Sequence, residues 1–292
     1  MPELPEVEVT RRRLAPVLVG RRIRRARVSG AAPLFLTPAP LLARRLRGRV
    51  ARAVRRHGKY LLFELDDESR LVIHLGMTGQ LFSSAARSPR LLSATARSAL
   101  SPEEQASFRP DVHTHLRLSF EDGGPEVFLR DVRRFGRALH LAPGESHPRL
   151  ERLGPDALRV TAGVLREVTR GRRAPIKSIL LDQARIAGVG NIYADEALYR
   201  AGIRPTRRAG RLSAIDCDRL AGALRFVLRR SLETGGSSIS DFVAPDGRDG
   251  RFQDERRVYA RTGEPCLACG VPIRRMVVAQ RSTHYCPRCQ PR

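Results

Sequence analysis

The spacing of hydrophobic residues predicts one helix at the start of the chain, a strand-rich first half and a helix-rich second half. Over residues 1–25, apolar positions recur at a loose helical spacing after the first few residues, with arginines between them. Alternating or fully apolar runs that predict strands follow at 49–54, 60–65, 71–75, 116–120 and 126–129. Turn residues join the second run to the third and the fourth to the fifth, so two hairpins and a β-sandwich are expected.

The pattern changes after a polar, proline-bounded stretch at 143–148, and residues 161–234 have helical periodicity. Within this region a helix is predicted to start near Pro175, and a second helix over 192–200 is predicted to have Asn191 as its N-cap. The last long helix has apolar residues spaced for one buried face: Leu212, Ile215, Leu220, Leu224, Val227 and Leu228.

These changes predict four segments. They are an N-terminal domain (1–142), a linker (143–160), a helical domain (161–250) and a C-terminal unit (251–292). The stretch 83–110 is rich in Ser, Ala and Arg without periodicity, and we expect an extended surface loop there.

The net charge of the chain indicates which class of molecule it binds. The chain has 54 Lys plus Arg against 30 Asp plus Glu, giving a net charge of +24, and this balance favours a polyanion, with nucleic acid first. A genome that favours arginine codons explains part of the excess, but it does not explain why acidic residues fail to balance it. Apolar runs stay well short of the ~20 residues of a membrane span, and the start lacks a secretory signal. We therefore expect a cytoplasmic, nucleoid-associated monomer.

Four of the five cysteines predict a metal site. Two CxxC pairs are separated by sixteen residues, a spacing typical of a four-thiolate zinc site. The proposed ligands are Cys266, Cys269, Cys286 and Cys289. The segment between the pairs fits a β-hairpin too short for a core of its own, so one structural Zn²⁺ is expected to hold it. Cys217 lies alone in a helical segment, where a small core residue is expected.

The N-terminus offers candidate covalent chemistry. Removal of Met1 would leave Pro2 as a secondary amine, and its adduct with a sugar aldehyde carbon is a permanently charged iminium. Glu3 and Glu6 stand beside it and can move protons. The alternative is that Met-Pro is a common start without chemistry. Further along, Gly188 and Gly190 precede a helix and form a candidate phosphate seat.

Six separated motifs, in order, resemble the bacterial formamidopyrimidine-DNA glycosylases, in the wider group that includes endonuclease VIII. The first is the start, from Pro2 to Glu8. The others are the segments 58–62, 74–79, 133–136 and 188–194, and the four-cysteine hairpin. The resemblance runs essentially from end to end.

The resemblance implies an α+β protein: an N-terminal β-sandwich with flanking helices, then a helix–two-turn–helix domain with a β-hairpin zinc finger, with DNA in the cleft between. It also implies a bifunctional glycosylase and abasic-site lyase in base excision repair. Its substrate would be double-stranded DNA containing oxidised purines or abasic sites.

The resemblance also implies roles for single residues. Pro2 would be the Schiff-base nucleophile, Glu3 the proton shuttle, and Lys59, placed in a strand, would assist elimination together with Arg281. DNA contacts would come from a larger set: His113, Arg133, Arg172, Asn191, Met77 and Phe135. Met77, Arg133 and Phe135 would fill the gap left by the extruded nucleotide, although core packing is the alternative for Met77 and Phe135.

Three positions depart from the family pattern. Val132 stands where a proline is usual, Arg172 where lysine is frequent, and Ser240 where the lesion-recognition loop often has a basic residue. Two other functions stay open from the residues: an endonuclease VIII-like enzyme for oxidised pyrimidines, and a non-catalytic zinc-containing DNA-binding protein. Leu4 and the Met77, Arg133 and Phe135 set favour the purine enzyme.

Overall fold

Two four-stranded antiparallel sheets form the first half of the fold. The structure is a computed structural model that describes residues 2–30, 33–87, 110–238 and 242–291. The strands are β1 (Ile23–Val28), β2 (Ala51–His57), β3 (Tyr60–Leu65), β4 (Arg70–His74), β5 (Gly79–Ser83), β6 (Thr114–Phe120), β7 (Val127–Asp131) and β8 (Arg137–Leu141). One sheet has the order β1-β6-β7-β5 and the other β2-β3-β4-β8. Both predicted hairpins, β3–β4 and β6–β7, are confirmed.

The two sheets share a core because their strands alternate in burial. On β3, Leu61, Phe63 and Leu65 are buried while the residues between them are half-buried. These side chains join one apolar cluster with residues of both sheets and of the first helix. Full burial of such a side chain contributes about 1.5–3 kcal/mol, so this cluster accounts for much of the stability of the sandwich.

Helices α1 (Leu4–Leu18) and α2 (Ala39–Leu46) flank the sheets. The sequence prediction of one helix through residue 25 is wrong at its end, since α1 stops at Leu18 and β1 begins at Ile23. Gly20 turns the chain between them with φ +82°, a conformation that favours glycine. Ile23 then pairs with Phe120 of β6, so tertiary pairing overrides the local helical pattern.

Residues 234–251 belong to this first unit, which contains residues 1–147 and 234–251. The sequence analysis predicted a helical domain that extends to residue 250, a division that differs from these two compact units. Two hydrogen bonds join this segment to the rest of the first unit: Ser237 N donates to Glu6 Oε1 (2.8 Å) and Ser83 N donates to Pro245 O (3.0 Å). Residues 88–109, most of the expected surface loop, and Ser240 lie outside the described residues.

The second unit, residues 148–233 and 252–292, is helical except for one hairpin. Its helices are α3 (Pro148–Glu151), α4 (Ala162–Thr169), α5 (Ile176–Leu181), α6 (Asn191–Arg200) and α7 (Ala214–Glu233), and its strands are β9 (Arg274–Val278) and β10 (Arg281–Tyr285). On α7, the predicted apolar face is buried from Leu220 onward, and Cys217 is a core residue as expected. Ile215 is 70 % exposed, so its assignment to the buried face is wrong. None of the described helices is long and apolar enough to cross a membrane.

Glu8 ties α1 to β2. Its carboxylate accepts hydrogen bonds from Arg11, Arg12 and Arg56, at 2.8–3.0 Å. Burial opposes ionisation, but these three guanidinium groups outweigh it and lower the pKa of Glu8 to about 2. The carboxylate is therefore ionised at every pH at which the protein is expected to work.

We predict that Glu8→Gln destabilises the fold at neutral pH by about 1–2 kcal/mol, after allowing for solvent screening. Because the folded-state pKa is depressed, the Glu8 contribution is present above pH ~4.5 and is lost as the pH falls toward 2. Denaturant titrations of both proteins should therefore give unfolding free energies that converge in acid. Exposed Glu121→Gln is the matched control, and a constant gap between wild type and Glu8→Gln down to pH 2 would contradict the assignment.

Candidate active site and DNA-contacting turns

The chain start is buried and capped. Pro2 and Glu3 are buried, and Glu3 is the N-cap of α1. Glu3 and Glu6 form a reciprocal capping box in which Glu3 N donates to Glu6 Oε2 at 2.8 Å. Glu6 Oε1 also accepts from Ser237 N, so a segment distant in sequence fixes the same carboxylate. These bonds order the residues that follow Pro2, which places its nitrogen at a defined position beside a carboxyl group.

Lys59 lies in a turn, not in the strand where the sequence analysis placed it. Gly58 and Lys59 connect β2 to β3, and His57 pairs with Tyr60. Gly58 has φ +54° at the first central position, which is typical of a type II′ hairpin. Arg56 Nη1 donates to Gly58 O (2.9 Å) while its Nε donates to Glu8, so the same arginine links this turn to α1.

Asp131, at the end of β7, organises two adjacent turns. Its Oδ1 accepts from Thr78 Oγ1 (2.5 Å) and its Oδ2 from Gly136 N (2.7 Å). Thr78 Oγ1 in turn accepts from Arg133 N at 3.1 Å. The carboxylate therefore holds the turn before β5 against the turn between β7 and β8. The sequence analysis missed Asp131. The feature that could have indicated it is an acidic residue at the end of an otherwise apolar strand.

The same two turns bear Met77, Arg133 and Phe135. A Cβ on Gly76 would lie 2.4 Å from the Phe135 carbonyl carbon, so the backbones can approach this closely because residue 76 is glycine. Phe135 is 47 % exposed and Met77 is half-buried, while the Arg133 guanidinium lies 4.6 Å from the Phe135 ring centroid. Phe135 is thus not a core residue, and its aromatic face is available for stacking.

His113 and His115 lie two residues apart but have different environments. His113 lies in the turn before β6, is half-buried, and donates from its backbone N to Asp111 Oδ1 (3.0 Å). Its Nδ1 has no hydrogen-bond partner among the residues described. His115 is buried on β6 between Ser29 Oγ and Asp131 O, and burial lowers its pKa. Of the two histidines, His113 is the more exposed, although its Nδ1 is buried.

In the second unit, Asn191 is the first residue of α6, and Gly190 is the N-cap. The expectation of an Asn191 cap is wrong because its side chain is used elsewhere, with Nδ2 donating to Ser282 O at 2.9 Å. Gly188 has φ +108°, as the glycine spacing indicated. Arg172, half-buried before α5, donates from Nε to Val168 O at 3.1 Å.

A buried ion pair, missed from sequence, anchors the strand that starts at Arg281. Lys177 and Asp195 have fully buried side chains, and Lys177 Nζ lies 2.6 Å from Asp195 Oδ1. Lys177 also donates to Thr283 Oγ1 (2.8 Å), and His284 N donates to Asp195 Oδ2 (2.8 Å). The contact between Lys177 Nζ and Asp195 Oδ1 is an ion pair, and within the described part of the chain Oδ1 accepts no well-aligned hydrogen bond. The signal available in sequence was a lysine between the apolar residues of a buried helix.

The four predicted zinc ligands converge. All four Sγ atoms lie within 4.8 Å of one another, with Cys266 to Cys289 at 3.8 Å and Cys269 to Cys286 at 3.4 Å. Sulfurs bound to one tetrahedral Zn²⁺ at about 2.3 Å lie about 3.8 Å apart, so the set fits the ion. The predicted hairpin is confirmed as β9–β10, and the four nearby arginines are exposed: Arg274, Arg275, Arg281 and Arg288.

We predict that Cys286→Ser abolishes the bound zinc and unfolds the hairpin, because Zn²⁺ replaces the core that this segment lacks. Elemental analysis of the purified protein should fall from one zinc per chain to none. Cys217→Ser is the matched control, since Cys217 is buried in α7, and it should retain one zinc. Full zinc content in Cys286→Ser would exclude this ligand set.

We predict that Lys177→Met destabilises the second unit by about 3–5 kcal/mol, because Asp195 would remain buried without its counter-charge. The double variant Lys177→Met with Asp195→Asn should recover part of that loss. Urea titrations of wild type, both single variants and the double variant give the coupling energy. If the losses of the two single variants add up to that of the double variant, the pair is not coupled.

Comparison with known proteins agrees with this geometry. Three family models match: the formamidopyrimidine-DNA glycosylase N-terminal domain at residues 1–138, the H2TH domain of the same enzymes at 153–243, and the zinc finger found in FPG and IleRS at 263–292. The formamidopyrimidine-DNA glycosylase of Paraburkholderia phymatum is 45 % identical over 99 % of this chain and 100 % of its own length.

Solved structures are similar over the whole chain. The crystal structure of the MutM (Fpg) protein from Thermus thermophilus has a TM-score of 0.82 and 40 % identity, covering 99 % of this chain and 98 % of that one. A Lactococcus lactis Fpg mutant with a Fapy-dG containing DNA has a TM-score of 0.85 and 33 % identity, with full coverage of both chains. Lactococcus lactis Fpg with an abasic site containing DNA gives 0.84 and 32 %, again with full coverage. These matches cover the capped proline start, the two adjacent turns, the helix–two-turn–helix segment and the four-cysteine hairpin. The chain therefore belongs to the formamidopyrimidine-DNA glycosylase family.

Proposed function

We propose that this protein is a bifunctional DNA glycosylase and abasic-site lyase that removes oxidised purines, 8-oxoguanine and formamidopyrimidines, from duplex DNA. Family membership over the full length supports the activity. The observation that carries the mechanism is the proline immediately before a buried, doubly capped helix start. We further propose that the protein resides with the nucleoid, because a net charge of +24 favours DNA.

In the proposed first step, the Pro2 nitrogen attacks C1′ of the damaged nucleotide, and the C1′–N bond to the base breaks as the base takes up a proton. Opening of the sugar gives an iminium between Pro2 and C1′, which acidifies the protons on C2′. Loss of a C2′ proton breaks the 3′ C–O bond, and a second elimination breaks the 5′ C–O bond. Hydrolysis of the imine releases the sugar remnant and leaves phosphates on both sides of a one-nucleotide gap.

Three side chains support these steps in the proposal. Glu3, buried and one residue from Pro2, is suited to transfer protons, since a carboxyl group next to the reacting amine can donate and accept in turn. Lys59, in its type II′ turn, and Arg281, at the start of β10, present cations for the departing phosphates.

The base must leave the helix before Pro2 can reach C1′, at an unstacking cost of a few kcal/mol. Met77 and Phe135 would occupy the vacated space, and Arg133 would hydrogen-bond the orphaned partner base. The exposure of Phe135 and the anchoring of both turns by Asp131 support this role.

Phosphate contacts would position the duplex. We assign these to His113, Arg172 and Asn191. The His113 backbone N is bound to Asp111, and the side chains of Arg172 and Asn191 donate to the carbonyl oxygens of Val168 and Ser282. Phosphate contacts position the protein on DNA without reading sequence. Affinity for duplex DNA should therefore fall steeply with salt, by a log–log slope near −0.9 per neutralised phosphate.

We predict that borohydride traps a covalent adduct with an 8-oxoguanine duplex, and that Pro2→Gly or retention of Met1 abolishes it while DNA affinity stays largely intact. Neither change touches the Glu3–Glu6 capping box, so α1 should keep its start. Mass spectrometry of the reduced adduct locates the crosslinked residue. A crosslink elsewhere than Pro2 would refute the nucleophile.

A panel of lesions separates the related functions. Wild type should release 8-oxoguanine and formamidopyrimidines faster than oxidised pyrimidines, and leave phosphates at both ends of the gap. Preference for pyrimidines would indicate an endonuclease VIII-like enzyme, and DNA binding without any adduct would indicate a non-catalytic binder.

A further inference from the structure

Five exposed arginines that the proposed mechanism does not use converge on one face of the first unit. We call them the β1–α2 arginine cluster: Arg24, Arg25 and Arg27 on β1, Arg44 on α2, and Arg47 at its C-terminal cap. Four of them, all except Arg27, line a depression of about 640 Å³ whose floor includes Ala26 and Ala43. Arg24, Arg25 and Arg27 also border a neighbouring depression, which is lined further by Arg117 and Ser119 of β6 and by the acidic Glu126.

The cluster has no internal counter-charge. Within the described ranges, none of the five guanidinium groups has a carboxylate partner or makes a side-chain hydrogen bond. Arginines with a structural role in the same unit are paired, as Arg56 is with Glu8 and Arg130 with Asp111. The depression is therefore a concentrated positive site that an anion from outside can neutralise.

Backbone geometry directs the β1 arginines outward. The register between β1 and β6 shifts between Ile23 and Arg25, which leaves Arg24 as an extra residue in the ladder. A bulge of this kind lets two consecutive side chains face solvent, and both Arg24 and Arg25 are exposed. Ala26 then returns to the core, and Arg27 points outward again.

One pairing is unfavourable unless an anion is present. Arg27 is directly opposite Arg117 on β6, and like charges at such positions repel. Glu126 lines the same depression and pairs with Arg117 at 2.7 Å, and among the described residues no ion pair joins it to Arg27. The five charges lie on adjacent elements, so their repulsion is only partly screened over a Debye length of about 8–10 Å. Binding of phosphates would relieve this repulsion.

Structural explanations account for parts of the cluster. Arg44 and Arg47 suit the negative end of the α2 dipole, and charge on β1 discourages pairing at a sheet edge. Neither explanation requires arginines from both elements to line one depression. The flat guanidinium fork, repeated around a concave surface, matches phosphate oxygens in particular.

The cluster lies away from the lesion-probing turns. In the sheet order β1-β6-β7-β5, β1 is at the opposite edge from β5, which begins two residues after Met77. Three strand spacings separate these edges, about 14 Å. A duplex engaged through the Met77 and Phe135 turns therefore leaves β1 at the far edge of the sheet.

We propose that the β1–α2 arginine cluster binds the phosphate backbone of a second segment of duplex DNA while the protein is bound to a first, and that the protein passes directly from one segment to the other. The proposal rests on the proposed function as far as duplex binding, and it adds a second, non-catalytic DNA site. Binding through five arginines should give the second segment a log–log salt slope of up to about −4.5.

The test measures dissociation of the full-length protein from a labelled duplex containing a tetrahydrofuran abasic analogue, at increasing concentrations of unlabelled, undamaged duplex. The cluster variant replaces all five arginines with glutamine (R24Q/R25Q/R27Q/R44Q/R47Q). The matched control removes five exposed arginines elsewhere (R52Q/R152Q/R159Q/R166Q/R229Q), so both variants carry a net charge of +19. Thermal melting verifies that both fold.

For wild type and the matched control, we expect the dissociation rate to rise severalfold with competitor concentration, because the second segment is captured before the first is released. For the cluster variant, the rate should not depend on competitor. Borohydride trapping and base release on a short duplex should be equal in all three proteins. A failure of trapping in wild type would therefore concern the proposed function and not this second site.

Four results would overturn the second site. The first is a wild-type rate that is flat in competitor, and the second is acceleration in the cluster variant equal to wild type. The third is a loss of affinity for the labelled duplex itself in the cluster variant alone, which would show that the cluster extends the first DNA footprint. Equal loss of acceleration in both variants would show that net charge, rather than this cluster, drives transfer.

Discussion

The proposed chemistry requires that the chain start be ordered while the Pro2 nitrogen stays available for reaction. The hydrogen bonds that cap helix α1 meet this requirement, and other parts of the first unit depend on them. Chain ends normally fray. Here the order comes from the residues that follow Pro2: Glu3 and Glu6 cap α1, and the Glu6 carboxylate also accepts from Ser237. Glu8, one turn further, binds Arg56 and so connects the same helix to the Lys59 turn. Carboxylates on a single helix thus order both the segment that follows Pro2 and the turn that contains Lys59.

The second unit meets a different constraint, because its hairpin has almost no core. Four cysteines supply a metal crosslink at one end of the hairpin. In the middle of β10, the Lys177–Asp195 pair binds Thr283 and His284, and Asn191 binds Ser282. A buried ion pair contributes little net stability, but it fixes geometry, since a shift of the hairpin would leave either charge unpaired. The position of Arg281 follows from these two anchors.

The arginines of this protein fall into three groups that differ in their contacts. Arg56 and Arg130 are structural, because each is paired with a buried or half-buried carboxylate. Arg133 stacks on an exposed ring, where it can exchange one aromatic partner for a base. The five arginines of the β1–α2 arginine cluster have no ion-pair partner among the described residues, and in the proposed second site phosphates would offset their mutual repulsion. A count of charges alone does not distinguish these three uses.

The sequence by itself determined the features set by local spacing: both hairpins, α1 from its first residues, the buried face of α7 beyond Leu220, and the four zinc ligands. It could not determine features that depend on partners distant in the chain. Ile23 is a strand residue because it pairs with Phe120 of β6. Asn191 does not cap its helix because its side chain donates to Ser282 O. The roles of Asp131 and Lys177 also depend on hydrogen-bond partners that are distant in the chain. Periodicity reports which face of an element is apolar, whereas tertiary packing alone decides which polar group that element meets.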